Sequence, residues 1–311
     1  MLMAQALSSG VRLDADETAA FVRQLESIRA VPYDVQYPEL IWDKIVPMGG
    51  TDVDPGAEFF TWSLMDKAGE AKLITNWGED APSVDIQAGQ STSPLASYGI
   101  GYKYSIQDLR RANMLSLPID QKRALAAREL MARKIDRVLA LGEPVAGLKG
   151  FANNSSVSIL SPITGSWISG GATPAQILAD LLKMERDIMT TSKGIEMPDT
   201  MVVPNSLYAL ISTLPMSTLI PQGSVLEYFL KQSMGIRRVE KSFYLEDAGA
   251  SGATRIIAFK ADIVKVEGIM PVIFEQFAPI VKGYAFNVNC HARTGGVVVR
   301  YPGSMRYMDG C

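Results

Sequence analysis

Residues 118–142 read PIDQKRALAARELMARKIDRVLALG, and the rest of the chain is organised around this stretch. Pro118 suits a first helical turn, where its missing N–H leaves no bond unmade, and Gly142 lies just past the other end. Ala124, Ala127, Met131, Ile135 and Val138 fall on one stripe, so the spacing predicts a helix over 118–141, about 35 Å long. The opposite face is charged and mostly basic, with Lys122, Arg123, Arg128, Arg133, Lys134 and Arg137 against Asp120, Glu129 and Asp136. Such a face has three readings: a solvated surface, a contact with acidic patches of a neighbouring subunit, or a contact with nucleic acid. Salt sensitivity separates them.

Upstream, Ser93 to Tyr104 reads as a strand with Tyr98, Tyr102 and Tyr104 in step, and Ser105-Ile106-Gln107-Asp108 opens a short helix with a capping-box-like start. Earlier still, Phe59, Thr61 and Ser63 alternate with Phe60, Trp62 and Leu64 in a strand over Ala57–Leu64. After the polar turn 66–70 a second strand is expected over Ala71–Trp77, making a hairpin, with Gly78–Gln90 as a mobile return leg rich in Gly, Pro, Ser and Asp. An isolated hairpin is marginally stable, which implies a supporting neighbour. At the start, Phe21, Leu25 and Ile28 predict a helix from Asp16 to about Ala30. Val31–Leu40, with two prolines and the aromatic Tyr33 and Tyr37, reads as an extended arm that needs another body to lie on.

Downstream, 142–171 is a long Gly-, Ser-, Asn- and Pro-containing connection. A helix starts at Thr173-Pro174, carries Ile177, Leu181, Met184 and Ile188 on one face, and ends before Gly194. A short strand at 200–203 and helices over 206–213 and 224–233 follow, and strands then take over at 236–239, 255–259, 272–277, 281–290 and 296–301. This order predicts an α+β fold of two subdomains. The final strands are expected to return to the sheet near the long helix, leaving about Phe151–Ala261 as an insertion-like second subdomain.

Composition narrows the function. The 311 residues are 47% hydrophobic and 20% charged, with a mean hydropathy of +0.09, enough apolar surface for a substantial core. No apolar run approaches the ~20 residues of a membrane helix, so no membrane partner is expected. A net charge of -3, from 30 basic and 33 acidic residues, allows only weak, non-specific contact with nucleic acid. Two cysteines make no disulfide framework and fit a reducing cytosol.

Residues for chemistry are scarce. The sole histidine, His291, neighbours Cys290 in a strand-like run, where adjacent side chains point to opposite faces and make a poor dyad. There is no Cys-x-x-Cys and no His-Glu-x-x-His, and Asp52 and Asp54 beside Gly56 read as turn residues. Gly147-Leu148-Lys149-Gly150 lacks the Gly-Lys-Ser/Thr ending of a phosphate loop, and Gly99-Ile100-Gly101 sits isolated in a strand. Among Glu26, Glu58, Glu79, Asp80 and Glu275 no spacing singles out an acid–base pair. No cofactor, no metal and no enzymatic activity are expected.

Several segments together carry a resemblance: Val35-Gln36-Tyr37-Pro38-Glu39-Leu40; the hairpin; Tyr104-Ser105-Ile106-Gln107-Asp108-Leu109-Arg110; Lys134-Ile135-Asp136; and Leu141-Gly142 followed by Gly147-Leu148-Lys149-Gly150-Phe151-Ala152-Asn153-Asn154. In this order they resemble the major capsid proteins of tailed bacteriophages, which are similar in turn to encapsulin or linocin shell proteins and share the Hong Kong 97-type fold. The resemblance implies an N-terminal arm over 1–55, an extended hairpin loop over 56–92 that reaches over an adjacent subunit, and a peripheral domain over 93–150 whose spine helix is 118–141. It further implies an axial domain over 151–261, with loops near 214–223 and 244–253 at capsomer axes, and C-terminal strands over 262–311 that complete the peripheral domain.

The function implied is a structural subunit that self-assembles, in the cytoplasm of a bacterial host, into the hexamers and pentamers of an icosahedral virion capsid around double-stranded DNA. The implied partners are copies of the chain, a separate scaffold, a portal and decoration proteins. Intersubunit contacts are expected at Tyr33, Tyr37, Trp42, Phe59, Phe60, Trp62, Lys67, Lys72, Trp77, Arg128, Arg133 and Arg137. An encapsulin-type compartment is the nearest alternative, and a soluble α+β enzyme using carboxylates is the alternative from another class. A self-formed lysine–asparagine link, for which Lys67, Lys72, Asn287 and Asn289 have the right types, is not expected.

Overall fold

The five residues Arg255–Phe259 are all buried, although they form a strand whose side chains alternate between two faces. That double burial is the key to the architecture. It emerges from the computed structural model, which describes residues 38–49, 52–71, 83–115, 119–163, 165–216 and 223–311. The expected helix over 16–30 and the arm up to residue 37 lie outside the described residues. Residues 40–311 form one compact unit.

The unit opens with a one-turn helix, α1 (Trp42–Ile45), and a short strand, β1 (Met48–Gly49). Two ten-residue strands, β2 (Phe59–Ala68) and β3 (Asp85–Pro94), pair antiparallel in unbroken register from Phe59↔Pro94 to Ala68↔Asp85. The hairpin therefore returns over 85–94, which spans the end of the expected mobile leg (78–90) and the start of the strand expected from Ser93, and the expected turn at 66–70 is strand as far as Ala68. The reason is legible afterwards: Asp85–Pro94 is exposed on both faces over most of its length and has no hydrophobic alternation to announce it. Residues 72–82, between the legs, lie outside the described residues.

β4 (Ala96–Ser105) leads into α2 (Ile106–Leu115), and the expected capping box is present: Asp108 N–H donates to Ser105 Oγ at 3.1 Å, and Ser105 N–H donates to Asp108 Oδ2 at 3.3 Å. The long helix is α3 (Ile119–Leu141), closed by Gly142 at φ +72. A Cβ on Gly142 would lie 2.6 Å from Gly150 N, so the loop that follows folds back against the helix end.

After β5 (Ile159–Leu160), α4 (Pro174–Thr191) starts from a Thr173–Gln176 capping box. Next come β6 (Thr200–Pro204), α5 (Asn205–Thr213) and α6 (Val225–Gln232), the last capped where Ser224 Oγ accepts from Glu227 N–H at 3.3 Å. β7 (Arg238–Ser242), β8 (Arg255–Phe259), β9 (Val266–Ile269), β10 (Val272–Gln276), β11 (Ile280–Lys282), β12 (Ala285–Thr294), β13 (Gly296–Val299) and β14 (Met305–Asp309) complete the unit. The strand expected over 281–290 is in fact two, broken by a turn at Gly283-Tyr284 with Gly283 at φ +64.

The strands form a five-stranded sheet ordered β5-β14-β8-β6-β7, a three-stranded sheet β1-β9-β13, and a sheet in which β12 is flanked by β4 on one side and by β10 and β11 on the other. The five-stranded sheet is a wall between two cores. Met201, Val203, Ile256, Ala258 and Met308 face the first, with Leu181, Ile188 and Phe229 of α4 and α6. Val202, Ile257, Phe259, Met305 and Tyr307 face the second, with Trp42, Phe151 and Ile135.

That wall corrects two expectations. The last strand, β14, does not return to the sheet beside α3 but lies between β5 and β8. The middle block is consequently not a free-standing insertion, because residues 305–309 of the tail build its central sheet. β12 does return to the region of α3, as the partner of β4.

Candidate functional site: surfaces for assembly

Among the described residues the hairpin is anchored at its root. Phe60 and Trp62 stack at 5.8 Å and turn onto the small cluster of Leu95, Ile269 and Val298. The Arg300 guanidinium lies 5.9 Å from the Phe60 ring while pairing with Glu267, so one cation clamps the hairpin root and the three-stranded sheet together. Toward the free end Met65 is 75% exposed and Ile86 62%, and β2 and β3 pair only with each other. A two-stranded ribbon of this length, bare on both faces, keeps its shape best when a second body covers it.

Half of the basic face of α3 is engaged within the chain, and Lys122 is exposed. Arg133 pairs with Glu129 one turn before it, Lys134 pairs with Glu143, and Arg123 donates to Lys103 O at 2.6 Å and to Asp108 Oδ2 at 3.4 Å. Arg128 and Arg137 point outward and are exposed.

The contact residues expected from the sequence therefore divide. Phe59, at 60% exposure, and Lys67 are open on the hairpin, whereas Phe60 and Trp62 are half-buried at its root. Trp42 is a correction: it is fully buried, 5.3 Å from Phe151, and offers no surface to a neighbour. Its helix is held from beneath by Asp136, which accepts from Trp42 N–H at 3.0 Å and Ile41 N–H at 3.2 Å. Tyr33, Tyr37, Lys72 and Trp77 lie outside the described residues. Sequence reasoning passed over Ile273, Phe277, Ile280, Val281 and Tyr284, all substantially exposed. A signal existed, since Pro279 and Gly283 interrupt an apolar run and mark it as edge and turn.

Groups for chemistry do not converge. Cys290 is buried, which raises its thiol above the usual range, and His291 faces Phe277 at 6.4 Å between ring centres. Among the described residues no three His, Cys, Asp or Glu side chains gather as metal ligands, and no helix is long and apolar enough to cross a membrane.

The family model described as major capsid protein matches residues 69–311. Among solved structures, the capsid of Myoviridae phage XM1 superposes with a TM-score of 0.80 at 15% identity, covering 97% of this chain and 100% of that one. The capsid of the native GTA particle gives 0.64 at 13% identity, over 96% and 99% of the two chains. A virus-like particle from Pyrococcus furiosus gives 0.54 at 13% identity, over 85% and 90%. No curated protein sequence matches the chain. These likenesses establish the α+β fold as Hong Kong 97-type, the one implied by the resemblance in sequence. With a family model spanning 69–311, the chain belongs to the major capsid protein family, whose members are structural subunits that join as capsid-forming oligomers in the shell of the virion.

Proposed function

We infer that the chain closes an icosahedral head from hexamers and pentamers around double-stranded phage DNA, assembled in the host cytoplasm with a separate scaffold, a portal and decoration proteins. The observation that carries this reading is the root-anchored hairpin: ten residue pairs of ribbon whose outer half has no cover within the described residues. In a shell the hairpin lies over the adjacent subunit. Phe59 and Lys67 make contacts there together with Lys72 and Trp77 of the segment between its legs, while Tyr33 and Tyr37 of the arm reach another copy. The block around α4, α5 and α6 serves as the axial domain and the region around α3 as the peripheral domain. Arg128 and Arg137 give loose contact with DNA or with a neighbour's acidic patch, in keeping with a net charge of -3.

The chain acts by assembly and not by catalysis. Many modest contacts let misplaced subunits leave, and their sum holds the shell. Negative-stain microscopy and sedimentation of the expressed chain, alone and with its genomic neighbours, test this reading. Closed particles are expected, and a discrete low-mass species under every condition overturns it.

A further inference from the structure

We propose that residues 272–282 form a two-fold contact between two copies of the chain, paired antiparallel along the outer edge of β10 and β11. The proposal rests on the reading of the chain as a shell subunit and adds a specific surface to it. β10 and β11 both pair with β12, whose other side is filled by β4, so among the described residues their outer edge carries no strand. An unpaired edge presents a row of N–H and C=O groups that template pairing, and monomeric proteins guard such edges with charge or cover. This one is open: residues 275–284 are all exposed, with Phe277 at 46%, Ile280 at 55% and Val281 at 65%.

Charge selects the occupant. The edge holds one acid, Glu275, and one base, Lys282, near its opposite ends. Antiparallel pairing with a second copy brings each Glu275 opposite the other copy's Lys282, giving two ion pairs from one register. The same register sets Gln276 against Val281 and Phe277 against Ile280. Both charges lie on one face of the sheet, because Glu275 pairs with His291 and Lys282 with Ala285, and those two partners share a face of β12. A parallel arrangement would oppose like charges, and an edge with one acid and one base has no net charge to hold a nucleic acid. Pro279 removes one donor between the two short strands, so the ladder is made of two brief runs and stays reversible.

Engineered cysteines test the register. Directly opposed residues of an antiparallel pair hold their Cβ atoms about 4.5–5.5 Å apart, close enough for a disulfide after a small adjustment. The native Cys290 and Cys311 are buried and stay out of the reaction. The full-length chain carrying Glu275→Cys and Lys282→Cys together is expected to run, after mild oxidation, as a covalent dimer that thiol reverses. Neither single variant should do so, since its cysteine faces an unchanged Lys282 or Glu275. A double variant that stays monomeric on the gel overturns the contact, whether or not particles form, and single variants that cross-link equally well overturn the register. Particles without covalent dimers leave the shell reading intact and remove this contact from it. Covalent dimers without particles support the contact and count against the shell reading alone.

Discussion

The carboxylate of Asp136, in the C-terminal third of α3, accepts a hydrogen bond from the backbone N–H of Trp42 at 3.0 Å, across 94 residues of sequence. It also accepts from Ile41 N–H and from the Tyr244 hydroxyl, so one side chain joins the long helix, the first helix of the described unit and the turn after β7. Asp136 is 4% exposed.

Burial is the largest influence on Asp136 and raises it above the usual carboxylate range, with Asp43 pushing the same way and the three donors pulling down. The Tyr244 hydroxyl is raised in turn to about 12, first by burial and then by the Asp136 charge. A carboxyl whose pKa is higher folded than unfolded binds more protons when folded, so this site favours folding increasingly as pH falls through the raised value and disfavours it at neutral pH. Asp136→Asn keeps an acceptor and removes the buried charge and its titration. Its melting temperature should equal or exceed wild type near neutral pH, with less gain on moderate acidification. Asp136→Ala leaves two N–H groups without a partner and should lose about 1–3 kcal/mol in denaturant unfolding. An Ala variant as stable as the Asn variant would dismiss the capping role.

Arg255 and Asp309 form the next testable joint. Arg255 Nε and Nη2 meet the two carboxylate oxygens at 2.6 and 2.5 Å, its other nitrogen donates to Ala152 O, and its guanidinium lies 4.5 Å from the Tyr307 ring. Both side chains are almost wholly buried. Removing Arg255 strands a carboxylate, at a cost of about 3–5 kcal/mol, whereas replacing both partners with apolar residues of similar volume is far milder. Arg255→Ala should therefore unfold at distinctly lower urea than wild type, and Arg255→Met with Asp309→Leu should recover most of the difference. Equal losses in both variants would assign the effect to packing.

The hairpin gives a prediction of opposite kind. Met65 and Ile86 are exposed and contribute little to the unit's own fold, so Met65→Ser with Ile86→Thr should change subunit stability by no more than about 0.5 kcal/mol. Particle yield by sedimentation should nonetheless fall, because the contact affected is with another copy. A variant that assembles like wild type would relieve these two residues of any assembly role.

How much of this was legible in the sequence depended on which physical signal each segment carried. The long helix has a stripe, a first-turn proline and a closing glycine, and it lies within one residue of its expected start. The Ser105–Asp108 box and the helix start at Thr173-Pro174 were equally readable because capping is local chemistry, while the Gln176 half of the second box appears only in the structure. β3 carries no apolar alternation because it is bare on both faces, and β14, five of the six residues between Gly303 and Gly310, reads as a tail until a sheet is there to receive it. From sequence alone Trp42 reads as a contact residue, because large aromatics near prolines mark arms. Only the position of Phe151, more than a hundred residues on, makes it core. The assembly surfaces were legible as a class, in that segments 1–92 looked unable to stand alone, but the open edge at 272–282 required knowing which side of β12 was already filled by β4.

The three readings of the basic face of α3 now bear on Lys122, Arg128 and Arg137, since Arg123, Arg133 and Lys134 have partners within the chain. Arg128 and Arg137 are both exposed, so Arg128→Gln with Arg137→Gln should leave subunit melting nearly unchanged. If both touch phosphates, the dependence of DNA binding on salt should flatten by roughly 2 in the log–log slope, at about 0.9 per lost contact. If they meet acidic patches of a neighbour, that slope is unchanged while the salt needed to dissociate assembled particles falls. If solvent alone faces them, neither quantity moves. Measuring both on the same double variant decides among the three, and loose contact with packaged DNA predicts the flattened slope with intact particles.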